Sequence, residues 1–121
     1  MTDARFRWSR PLHRGASVVV AVIALVHIAT TAVFYDGWSP AAVWFSGTGL
    51  GLLLLAVINW AHVGVEPCIL PTAPVVRAAN WVFTVFGVAA LMAVPEPQAG
   101  VLVLALLLQA VAARTTLRGP T

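Results

Sequence analysis

The chain has 121 residues, 60% of them hydrophobic and only 9% charged, against roughly 25% charged in a typical soluble domain. So few charges cannot cover a water-facing surface, which excludes an ordinary soluble globular domain. The formal charge of +3 comes from arginines that flank apolar runs, which argues against a nucleic-acid-binding module.

Residues 1–15 form a basic segment, with Phe6 and Trp8 set among Arg5, Arg7, Arg10 and Arg14, a pattern suited to the inner headgroup layer. An apolar run of about 18 or more residues reads as a transmembrane helix, and the first occupies 16–35. It is too long for a signal-peptide core and three more runs follow, so it reads as an uncleaved first span. Ser39 and Pro40 supply an N-cap and a proline at the first helical position for the second span, 41–62. Phe34, Tyr35, Trp38, Trp44 and Phe45 cluster around this turn as an aromatic belt at the outer interface.

The connection 63–73 contains Pro67, Pro71 and the single cysteine, Cys68. It is apolar enough to lie along the inner interface, and one cysteine forms neither an internal disulfide nor a CxxC site. The third span, 74–94, leads through Pro95-Glu96-Pro97 into the fourth, 97–117, where Arg114 must snorkel to the headgroups. Residues 118–121 are left as a short tail. The expected class is all-α: a four-transmembrane-helix bundle of two antiparallel hairpins, in a single membrane domain, 16–117.

Arginines precede the first span, follow the last and stand at Arg77, whereas the other two connections carry Asp36 and Glu96. Positive residues stay cytoplasmic, so both termini are expected inside. All seven basic residues are arginine, the usage of a GC-rich bacterial genome, and the expected location is a bacterial inner membrane.

Helical spacing sorts the polar and small residues onto stripes, which in a membrane face other helices. The first span presents Val20, Ala24, His27, Thr31 and Phe34. The second presents Gly47, Gly51, Leu54, Ile58 and His62, with Thr48 and Asn59 on an adjoining face. The third offers Arg77, Asn80, Thr84 and Gly87, and the fourth Leu102, Ala105, Gln109 and Ala112. Gly47, Gly51 and Gly87 are the expected points of close helix approach. Asn59, His62, Arg77, Asn80 and Gln109 are expected to form an inner polar cluster. At a rise of about 1.5 Å per residue, His27 stands about 16 Å above the inner end of its span, near the midplane and level with Thr84.

A neutral imidazole is favoured at that depth, since a desolvated charge is costly. His27 is therefore the first candidate for chemistry. It lies too far from His62 for a shared haem iron or metal, so no cofactor and no metal are expected. With Tyr35 or Asp36 it would make only an incomplete acid–base set, since no span contains a carboxylate.

In size the chain resembles the small multidrug resistance exporters, but it has His27 where they depend on a glutamate. The run from His27 through Phe34-Tyr35, Ser39-Pro40, Ala42-Val43-Trp44-Phe45, Gly47, Gly49-Leu50 and Asn59, with Ala79-Asn80 beyond it, resembles small bacterial four-helix integral membrane proteins. That resemblance implies a topology and no activity. The expected role is non-catalytic: a helix-packing accessory subunit or binding module in the lipid bilayer, self-associated or docked on a larger membrane partner. The alternative is a small oligomeric carrier, or an enzyme for an apolar substrate, using His27.

Overall fold

The computed structural model describes residues 3–63 and 72–116, with side chains from Trp8 onward in the first stretch. The Glu66-Pro67-Cys68 connection and the tail lie outside the described residues. Four helices account for nearly all of the rest: α1 (Asp3–Phe34), α2 (Pro40–Val63), α3 (Ala73–Ala93) and α4 (Pro97–Thr116). Each is long and apolar enough to cross a membrane. The largest departure from the sequence spans is α1. It starts at Asp3 rather than near residue 16, and its 32 residues include Pro11. The basic segment is therefore the first turns of a helix that continues unbroken into the first span.

The far turns are built as the sequence indicates. The Ser39 hydroxyl accepts the Ala42 N–H at 3.2 Å, capping α2 ahead of Pro40. Gly37 takes φ +81° in this turn, a conformation open to glycine at little cost. At the head of α4, Glu96 accepts the Gln98 side-chain amide, and its carbonyl takes the N–H groups of Ala99 and Gly100.

The helices pack in the order α2–α1–α4–α3, and α2 meets α3 only thinly, closing the ring. The apolar core is Val20, Ala24, Leu52, Leu55, Ala56, Ala105 and Leu106. Val22, Leu25, Val26, Leu54, Val57, Val82, Val85, Leu104 and Leu107 face outward, as lipid contact requires. Burial corrects the α2 stripe. Its inward residues are Ala42, Gly49, Leu52, Leu55, Ala56, Asn59 and Val63, while Leu54 and Ile58 are exposed. In α1, Val20, Ala24 and Thr31 are buried, but Phe34 at the end of the expected stripe is 72% exposed.

The close approach of α1 and α2 runs through Gly49. A Cβ there would stand 2.7 Å from Ile28 Cγ1 and 3.2 Å from the Ala24 carbonyl oxygen. Gly51 and Gly87 also meet neighbours, Phe83 Cζ at 3.4 Å and Leu106 Cδ1 at 3.1 Å, whereas Gly47 meets nothing within 4 Å. The Gly47–Gly51 pair is thus only half used inside the bundle.

Replacing Gly49 with alanine forces a backbone oxygen and a branched side chain apart, a cost of about 1–3 kcal/mol set against roughly 1 kcal/mol of improved helix propensity. Gly47→Ala meets no obstacle and keeps that propensity gain. Thermal unfolding in mild detergent, followed by circular dichroism, should therefore rank Gly47→Ala above the wild type and Gly49→Ala below it.

Candidate functional site

At the end of the bundle where α1 and α3 begin and α2 and α4 finish, polar side chains from all four helices meet. The centre is a pair of amides. Asn59 Nδ2 donates to Asn80 Oδ1, and Asn80 Nδ2 donates back to Asn59 Oδ1, both at 2.8 Å. The second hydrogen of Asn59 Nδ2 goes to the Leu55 carbonyl at 2.8 Å. Both hydrogens are then committed, which fixes Oδ1 as the atom facing the next partner, His13. Its Nε2 lies 2.7 Å from that oxygen, so Nε2 carries the ring proton, an assignment made from the network.

The other ring nitrogen, Nδ1, is 2.7 Å from Thr116 Oγ1. With the proton on Nε2, Nδ1 accepts from the threonine hydroxyl, whose other acceptor in reach is the Ala112 carbonyl at 3.0 Å. A neutral His13 is thus hydrogen-bonded at both nitrogens, and it is fully buried. Ser17, one turn on, donates to the His13 carbonyl at 2.9 Å and accepts from Gln109 Nε2 at 3.3 Å. Gln109 Oε1 is buried without a donor among the described residues. Thr84 adds a bond to the Asn80 carbonyl at 2.7 Å.

Outside this hub stand two arginine–tryptophan pairs. Asn59 and Asn80 are each followed by tryptophan, and one residue step turns a side chain by about 100° on a helix. The asparagine therefore points inward and Trp60 and Trp81 point outward. Arg14 lies over the Trp60 ring at 5.5 Å and Arg114 over the Trp81 ring at 4.9 Å. Each pair ties one helix to its hairpin partner by a cation–π contact.

Of the five residues expected in the inner cluster, Asn59, Asn80 and Gln109 come together. His62 does not join them. It is half-buried, its Nδ1 donates to the Ile58 carbonyl at 2.7 Å and its Nε2 accepts from Thr72 Oγ1 at 2.9 Å. Arg77 is half-buried and makes no hydrogen bond to the hub among the described residues. His13, Ser17 and Thr116 are absent from the sequence-based cluster, because a first span over 16–35 begins after His13 and its stripe omits Ser17. The available signal was periodicity: His13, Ser17, Val20, Ala24 and Thr31 recur at helical spacing.

The hub also resets the register. His27 is 14 residues past His13, about 21 Å by helical rise, whereas Thr84 is four past Asn80, about 6 Å. His27 is therefore level with the α3–α4 turn rather than with Thr84. Its ring stacks on Phe45, centroids 3.7 Å apart, and Phe45 meets Tyr35 on a tilted contact at 5.5 Å. The nearby threonines bond to backbone instead of to the ring: Thr30 and Thr31 donate to the His27 carbonyl, and Thr48 donates to the Trp44 carbonyl. His27 Nε2 is buried with no hydrogen-bond partner. No hydrogen bond joins it to Tyr35 or to Asp36, which is exposed in the turn. Among the described residues, no three histidine, cysteine or acidic side chains converge as a metal site would require.

No family model, curated protein or solved structure matches the chain.

Asn59→Leu strands the His13 Nε2–H and both the Oδ1 and the Nδ2 of Asn80, each a loss of about 1–3 kcal/mol when left buried. Asn80→Leu strands one donor and leaves His13 served. Detergent unfolding should show Asn59→Leu as the more damaging change. A double-mutant cycle on the pair should give a coupling of about 0.6–1.7 kcal/mol.

Proposed function

We propose that this chain is a small polytopic protein of a bacterial inner membrane, with both termini cytoplasmic. It acts there as a non-catalytic helix-packing subunit or binding module, self-associated or docked on a larger membrane partner. The observation that carries this reading is how the interior polar groups are spent. His13, Asn59, Asn80, Ser17 and Thr116 satisfy one another across four helices. A catalytic acid or base needs a proton or lone pair available to a substrate, and the hub's histidine has neither. What it supplies is one fixed arrangement of helices whose outer surface is apolar and open to lipid or to other helices.

The arginines support the orientation, since Arg10, Arg14 and Arg114 gather at the hub end while Asp36 and Glu96 lie in the far turns. A second reading, a small carrier or an enzyme for an apolar substrate, draws on His27. Its Nε2 is the only buried ring nitrogen left without a partner among the described residues.

Gentle detergent extraction followed by native mass spectrometry separates these readings. A subunit or binding module appears as an oligomer or with a co-purifying membrane protein, and His27→Ala leaves that assembly intact. A monomer with no partner counts against it, and loss of a transport or turnover activity in His27→Ala would favour the second reading. For orientation, a membrane-impermeant maleimide added to whole spheroplasts should leave Cys68 unlabelled and should label it in inverted vesicles.

A further inference from the structure

On the outside of the bundle, near the hub end, α1 and α4 border an open apolar groove of about 870 Å³. Its rims are large side chains, Trp8, Leu12 and Val19 from α1 and Leu108 and Val111 from α4. Between them the lining falls to Gly15, Ala16 and Ala112, and the two alanines are buried. The groove exists because small residues face each other where two helices cross, leaving a trough between taller neighbours.

Its length is informative. Arg10 at its mouth and Val19 at its far end are nine residues apart, which is about 14 Å by helical rise. One leaflet of hydrocarbon is half of a roughly 30 Å core, about 15 Å. The trough therefore has the reach of one acyl chain, starting from the level of the arginines. Among the described side chains, the charges near its mouth are arginines. Arg10 is exposed beside Ser9 and Pro11, which line the groove, and Arg14 and Arg114 hold their positions over tryptophan at the same end. The described carboxylates, Asp36 and Glu96, are at the opposite end.

From these features we infer that the groove holds an acyl chain of an anionic phospholipid from the arginine-rich leaflet, with its phosphate at the level of Arg10. A second copy is a poorer occupant, because a two-fold contact sets the same patch against itself and would place trough against trough. The inference rests on the chain spanning a membrane, and it adds a ligand class to the binding-module reading.

Gly15 gives a clean test. It lines the groove, and a Cβ built there meets nothing within 4 Å. Gly15→Leu therefore projects into the trough from a Cβ that meets no obstacle, and it replaces a poor helix former with a good one. Wild-type protein would be reconstituted in nanodiscs of equal phosphatidylglycerol and phosphatidylcholine, extracted gently and weighed by native mass spectrometry. The expected result is one retained phosphatidylglycerol. Gly15→Leu should lose it while matching or exceeding the wild type in helix content and thermal stability. Arg10→Gln should still retain a lipid, with the preference for phosphatidylglycerol reduced about fivefold. Retention by Gly15→Leu, equal retention of the two lipids by the wild type, or a lipid-free dimer would each overturn the inference. Failure to enter nanodiscs at all would instead overturn the membrane reading beneath it.

Discussion

One imidazole and two carboxamides, removed from water together, set the arrangement of the four helices. Apolar side chains give a bundle in lipid little reason to prefer one neighbour over another, because lipid tails are as apolar as leucine. A buried amide or imidazole does discriminate, since each unmade hydrogen bond costs about 1–3 kcal/mol. His13 joins α1 to α2 and α4, and Asn59 joins α2 to α3. The thin contact between α2 and α3 is held mainly by that amide pair, by the approach of Phe83 to Gly51 and by the bond from Thr72 to His62.

The same constraint makes the two ends of the molecule unlike. At the arginine-rich end the interior is filled: polar groups pair, alanines close the α3–α4 contact at Val76 and Ala113, and tryptophans carry the arginines outside. Toward the far end burial thins to Thr31, Ala42 and Gly49. There α1 and α2 run on past the level of the α3–α4 turn by helical rise, carrying exposed Phe34, Trp38 and Trp44. His27 sits at this transition, stacked on Phe45 with its Nε2 left without a partner. A fixed base with open flanks suits a scaffold that presents surfaces to lipid or to another protein better than it suits an enclosed catalytic chamber.

Two histidines thus exchange significance. His27 draws attention in the sequence because it stands alone in an apolar run, yet its ring contact is aromatic packing. His13 is hidden among arginines and reads as part of a basic segment at the headgroups, yet its ring joins α1 to both α2 and α4. Isolation in sequence measures how unusual a residue is locally. Connection depends on what other helices bring to the same level.

Composition and periodicity alone determined the number of helices, their approximate ends, the capped turn at Ser39-Pro40 and the inward faces of α3 and α4, because these follow from local apolar length and helical spacing. They also placed Asn59, Asn80 and Gln109 near one end. Tertiary structure decided the start of α1, the rotation of α2 and the register between the hairpins. Each of these depends on a hydrogen bond or a close approach between residues far apart in the chain: His13 with Thr116, Asn59 with Asn80, and Gly49 against Ala24. Such pairings carry no local signature. They are selected only when four helices compete to bury their polar groups, and the arrangement that leaves the fewest of them unpaired is the one that persists.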